Sequence, residues 1–275
     1  MVRKYKYFVF LLFFIFYSFY IKMSQKSEIK IMCIGDSITY GYKMPGSYRK
    51  FLYNNLLSKG YKIKMVGAQD QKVEKYYYNK NNPDFFEYED NNSGFSGYTI
   101  RQFGNRKGLF ELLHKNNFLK LNPDIIILLI GTNNIMENYD YNSTIKDFIS
   151  LINFILDNIP KESILFVSTI IDINPNNKND YTWFNHYRKG KIEDNEVKEV
   201  VNDYVRKYNN EIKRIVEDYK NKKYNIRIGD LNPVIKDIDN LTFDGVHPNN
   251  AGYKIIGEFW SEIIDKYLKE KFNEI

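Results

Sequence analysis

A chain of 275 residues, 43% hydrophobic and 27% charged, has the size and balance of one globular domain, which excludes a disordered chain. Its formal charge of +6 does not mark a nucleic-acid binder, because the lysines are scattered and alternate with acids, as between Lys191 and Lys223. The lone Cys33 excludes an internal disulfide and any cysteine-based metal site, and its place in an apolar run predicts that it is buried.

Residues Val2–Lys22 stand apart from the rest. Arg3, Lys4 and Lys6 precede an apolar and aromatic run from Tyr7 to Ile21, the pattern of an export leader. The run is shorter than the ~20 residues of a spanning helix. The bulky Phe19-Tyr20-Ile21-Lys22 offers no small-x-small cleavage site, so a cleaved signal peptide and a retained signal-anchor, with membrane attachment through residues 7–21, both stay open. Residues 1–24 are therefore set apart from a domain at 25–275, expected to be secreted or held outside the cytoplasm.

Strand-like and helix-like runs then alternate, as in a sheet covered on both faces. Ile29–Ile34 is the first strand; Ser47–Leu57 has apolar residues at helical spacing, with Gly60 as its stop. Lys62–Val66 is the second strand. Gln69–Asn92 is polar, without period, and reads as a long loop. Helical spacing returns over Phe103–Leu119, a strand over Asp124–Ile130, and a helix over Thr144–Asn158. Ser163–Ile171 is the fourth strand, Asn174–Lys191 an irregular insertion, Glu193–Asn221 a long amphipathic helix, and Ile226–Ile228 a short last strand. A final helix starts at Pro248-Asn249 and runs to about Lys269. The expectation is an α/β fold: a three-layer α/β/α sandwich on a central, mostly parallel five-stranded sheet.

Four short words sit at the loop ends of this pattern: Gly35-Asp36-Ser37, Ser96-Gly97-Tyr98-Thr99, Gly131-Thr132-Asn133-Asn134 and Asp244-Gly245-Val246-His247-Pro248. Each is weak alone. Their order, and the apolar runs before the first and third, put them where open parallel sheets carry their sites. A serine hydroxyl is a poor nucleophile until a base takes its proton and a third group fixes the base's tautomer. Ser37 would attack, His247 would accept the proton, and Asp244 would hold the imidazole. An Asp-x-x-His pair in one loop fixes its mutual geometry locally. His114 and His186 match none of these words and read as solvated. Asp124, after Pro123, reads as a cap or turn residue.

The words IGDSITYG (34–41), GSYRKFLYNNLLSKGY (46–61), MVG (65–67), GFSGYTI (94–100), NPDIIILLIGTNN (122–134) and FDGVHPNNAGY (243–253) resemble the SGNH (GDSL-like) hydrolases. Within them the chain looks most like the third carbohydrate esterase family, the acetylxylan-esterase type. The resemblance implies a flavodoxin-like fold and an oxyanion hole of three donors: the Ser37 backbone N–H, the Gly97 backbone N–H and the Asn133 side-chain amide. It implies no cofactor and no metal. Asp36, Tyr98, Asn134 and Val246 flank these positions as candidate substrate contacts, although Asp36 also reads as a loop-shaping residue. Asn134 stands where the family often has aspartate.

The function that follows is a monomeric serine esterase removing small acyl groups, acetyl foremost, from an acylated carbohydrate such as xylan. A lysophospholipase or general lipid esterase with the same triad, and a catalytically silent carbohydrate-binding surface protein, are the alternatives. Tyr76, Tyr77, Tyr78, Phe85, Phe86 and Tyr88, or Trp183 with Phe184, are aromatics suited to sugar stacking, although compositional bias is the better explanation of their abundance. Sequons beginning at Asn91, Asn142 and Asn240 would matter only in a glycosylating host.

Overall fold

The computed structural model describes residues 28–69, 91–175, 184, 187 and 194–273. The first apolar run forms β1 (Ile29–Gly35), buried from Ile31 onward. It leads through Asp36 into the one-turn helix α1 (Ser37–Tyr40), then α2 (Ser47–Ser58) and β2 (Ile63–Val66). Next come β3 (Ser93–Gly94), α3 (Leu109–Lys115), β4 (Ile125–Leu129), the short α4 (Thr132–Met136) and α5 (Tyr141–Asn158). The chain continues through β5 (Ile164–Ser168), the long α6 (Asp194–Asn221), β6 (Ile226–Gly229), α7 (Ile238–Leu241) and α8 (Asn250–Asn273).

All strand pairs are parallel, in the order β2-β1-β4-β5-β6, with β3 also paired to β1. β1 pairs with β4 along Ile31–Gly35, so β3 lies on the opposite edge, continuing where β2 stops. Strands covered on both faces carry uninterrupted apolar side chains, and Ile125–Leu129 and Ile164–Ser168 are buried throughout. Cys33 is buried among them.

From β1 the chain steps one way to β2; from β4 it steps the other way to β5 and β6. Right-handed crossovers then put α2 on one face and α5 and α6 on the other. α8 packs beside α2, and α5 against α6, giving three layers. The reversal falls between β1 and β4, and ligands bind in the crevice beyond the strand ends at such a switch.

Three expectations are corrected. The sheet has six strands, not five, because Ser93–Gly94 is too short to leave a period in the sequence. The helical spacing over Phe103–Leu119 is realised only in Leu109–Lys115. Before it, Thr99 bridges Gly108 and Phe103 bridges Arg106, while a 3-10 turn at Phe118–Leu121 follows it. The fourth strand ends at Ser168, not Ile171. Beyond it the backbone N–H groups of Ile170 and Ile173 donate to the side chains of Asn209 and Asn202 on α6 instead of to a strand. α8 begins at Asn250, with Asn249 Oδ1 accepting from Gly252 N at 3.0 Å.

The leader, the aromatics of 76–88, Trp183 and His186 lie outside the described residues. Phe184 is 2% exposed, so it is a core residue and not a stacking platform. Among the described residues, no helix is long and apolar enough to cross a membrane.

Candidate active site

Asp36 ends β1 and caps α1: its Oδ1 accepts the backbone N–H of Ile38 at 3.0 Å. That cap turns the chain sharply and leaves Ser37 on the first residue of the helix, at the crevice. Across the crevice, the 243–248 loop is built by its own side chains. Thr242 Oγ1 accepts from Gly245 N at 3.1 Å, and Phe243 N donates to His247 O at 3.1 Å. Asp244 Oδ1 accepts from the backbone of Val246 (3.1 Å) and His247 (2.7 Å). Its other oxygen, Oδ2, is left for the His247 ring, whose Nδ1 lies 2.7 Å away. The imidazole's opposite nitrogen, Nε2, lies 2.8 Å from Ser37 Oγ. With a carboxylate on one side, Nδ1 carries the ring proton and Nε2 is free to accept the serine's.

The electrostatics favour that arrangement. Burial pushes the Asp244 carboxyl up, but the hydrogen bond and charge of His247 and the two backbone donors outweigh it, so its pKa falls below the ordinary value. Asp36 behaves oppositely: burial dominates and raises it to about 6, despite the Ile38 bond and the influence of His247 and Thr132. Its Oδ2 and the Thr132 hydroxyl are both buried without a well-formed hydrogen bond.

The remaining two words meet the first at the same crevice. Gly97 sits in a turn with φ 79°, a conformation that favours glycine. A Cβ there would lie 3.1 Å from Arg106 Nη1. Asn133 lies in the first turn of α4; its Nδ2 donates to Tyr98 O at 2.8 Å, which fixes the amide and leaves a second N–H. Asn134 Oδ1 accepts from Ile100 N at 3.0 Å, so α4 grips the 98–100 segment twice. Ser37, Gly97, Asn133 and His247 all line one cleft of ≈ 160 Å³.

The four flanking candidates do not line it. Asp36 and Asn134 are 0% exposed and Val246 is 1% exposed, so their side chains hold loops and cannot reach a ligand. Tyr98 contributes its carbonyl to Asn133 and packs its ring 5.2 Å from Phe95. Instead the wall includes Ser96, which opens the second word, and Tyr42, Arg106 and Met136, which sequence reasoning missed. The Tyr42 ring lies 4.8 Å from the His247 ring, and Phe243 stacks on the imidazole at 5.7 Å. Tyr42 follows directly on the IGDSITYG stretch (34–41) and could have been suspected. Arg106, inside an expected helix, carries no signal. Among the described residues, no three His, Cys, Asp or Glu side chains gather as metal ligands would.

The chain matches the model of the GDSL-like lipase/acylhydrolase family over residues 31–260. A curated multidomain esterase of Ruminococcus flavefaciens is 34% identical over 254 residues, covering 90% of this chain and 30% of that protein, so the chain spans under a third of its length. Among solved structures, a family 3 carbohydrate esterase of Clostridium thermocellum is similar at a TM-score of 0.59 and 27% identity, covering 86% of this chain and 94% of that one. A family 3 carbohydrate esterase from Talaromyces cellulolyticus has a TM-score of 0.58 over 88% of this chain and 99% of that one. At 18% identity, that likeness shows the fold alone.

Proposed function

Because the chain belongs to the GDSL-like lipase/acylhydrolase family, we propose that it is an esterase that removes small acyl groups, acetyl foremost, from a polysaccharide such as xylan. The observation that carries the proposal is the single His247 ring, hydrogen-bonded at once to Asp244 (2.7 Å) and to Ser37 (2.8 Å) in a small cleft. Ser37 Oγ attacks the ester carbon while its proton passes to His247 Nε2; the imidazolium is stabilised by Asp244. The carbonyl oxygen becomes an oxyanion received by the N–H groups of Ser37 and Gly97 and the Asn133 amide. Collapse breaks the bond to the sugar oxygen, which leaves as a hydroxyl by taking the proton from Nε2. Water, activated by the same histidine, then frees the acid from Ser37.

The size of the cleft supports a small acyl group, since ≈ 160 Å³ falls well short of the ~300–1,000 Å³ of pockets that hold drug-sized ligands. The basic and then apolar stretch before residue 25 supports export to where such polysaccharides lie. The test is acyl release from acetylated xylan, a short-chain aryl ester and a lysophospholipid in parallel, with Ser37→Ala as the blank. Acetate from xylan and turnover of the short ester, both lost in Ser37→Ala, are expected. Fatty-acid release would move the assignment to a lipid esterase, and undiminished turnover by Ser37→Ala would remove Ser37 as nucleophile.

A further inference from the structure

We propose that Arg106, pinned by Glu137, closes the acyl side of the cleft and restricts the enzyme to the shortest acyl groups. The inference rests on the catalytic roles given above. A carbon under attack by Ser37 points its oxyanion at Gly97 and Asn133. Its alcohol points at His247 Nε2, which must return a proton to it. Tyr42, against the imidazole ring, therefore borders the alcohol. The acyl group has one direction left, and the wall residues not yet used are Ser96, Arg106 and Met136.

Arg106 is held as a built feature and not as a loose surface side chain. Its Nε and Nη2 both donate to Glu137 Oε1, at 2.9 and 2.7 Å. Glu137 caps α4, the helix that carries Asn133 and Met136, with its backbone N–H on Asn133 O at 3.0 Å. The guanidinium is thus referenced to the same helix as the oxyanion donor. The Nη1 edge, which takes no part in that pair, lies beside Gly97. Acetyl places one methyl group against the wall of Ser96, Arg106 and Met136. A longer chain would have to push the fork off Glu137 or lie against the polar edge of an ion and strip it of water, both of which cost free energy.

Aryl esters sharing one alcohol isolate this effect: 4-nitrophenyl acetate, butyrate and octanoate, with the wild type, Arg106→Ala, Arg106→Lys and Glu137→Gln. The wild type is expected to prefer acetate strongly. Arg106→Ala is expected to raise the butyrate-to-acetate ratio of kcat/KM by about tenfold or more, the lower end of what one or two methylenes decide in a pocket. Arg106→Lys keeps the bulk and charge and should retain most of the preference, while Glu137→Gln should raise the ratio less than Arg106→Ala. An equal loss on all esters would make Arg106 merely structural to the Phe103–Arg106 turn. An unchanged ratio, or a wild type indifferent to chain length, would also overturn the proposal. These readouts use no sugar, so silence on acetylated xylan would sink the substrate assignment and leave Arg106 standing.

Discussion

At the scale of single residues, the two buried carboxylates near the crevice have opposite fates. Asp244 accepts the imidazole and two backbone N–H groups and stays ionised; Asp36 accepts one and is raised to about 6. A carboxyl whose folded pKa lies above its unfolded value binds more protons in the folded state between the two. Its ionisation therefore costs stability as pH rises from about 4 to about 6. A shift of this size corresponds to something on the order of 3 kcal/mol above pH 6. Asp36→Asn keeps an oxygen for Ile38 N, carries no charge and gives Thr132 Oγ1 a donor. It is expected to match the wild type near pH 4 and to exceed it in urea denaturation at pH 8; a pH-independent difference would mean that Asp36 does not titrate in that window. Asn133 makes the second residue-scale test. Asn133→Ala should lower kcat about 10²–10³-fold with little change in KM, since an oxyanion donor acts mainly on the transition state. An effect confined to KM would make it a binding residue for the ground state.

At the scale of elements, the site depends on pieces that lie flush against one another. α8 meets α2 at Gly257, where a Cβ would fall 2.5 Å from Phe51 Cβ and 2.7 Å from Tyr48 O. Alanine at 257 would gain about 1 kcal/mol of helix propensity. Parting two packed helices costs about 1–3 kcal/mol, so Gly257→Ala is expected to be a net loss. Urea denaturation checks it: the midpoint should fall with an unchanged slope. On the other face, Asn202 and Asn209 of α6 hold the strand-like backbone at Ile173 and Ile170. Asn174 N then donates to Gly245 O at 2.8 Å, next to Asp244. The loop that carries Asp244 and His247 is thus braced from α6 as well as by its own turn.

At the scale of the whole molecule, the strand order reverses between β1 and β4, and the serine and the asparagine follow those two strands. That much could be read from the chain, because Ile31–Ile34 and Ile125–Ile130 are continuous apolar runs ending in glycine-bearing turns. Ser37, Asp244 and His247 were legible for a related reason: each belongs to a short word whose local geometry is self-determined. Ser93–Gly94 was not, since two residues carry no period. Phe103–Arg106 was misread because apolar spacing cannot register a turn held by backbone pairing. Arg106 and Met136 in the cleft wall escaped. They reach it from unrelated segments, and only the packing of the fold brings them together.

The hydrogen bond between Ser37 and His247 spans 210 positions of the chain. Ser37 is made long before the 243–248 loop. That loop is set opposite Ser37 only once its own turn and the brace from Asn174 have formed on the assembled sheet, and until then the serine stays an ordinary alcohol. Its reactivity therefore reports that the two distant segments have met. A fluorophosphonate added during refolding would tag only molecules in which Ser37 faces His247, so the rise of labelling with time would clock that meeting.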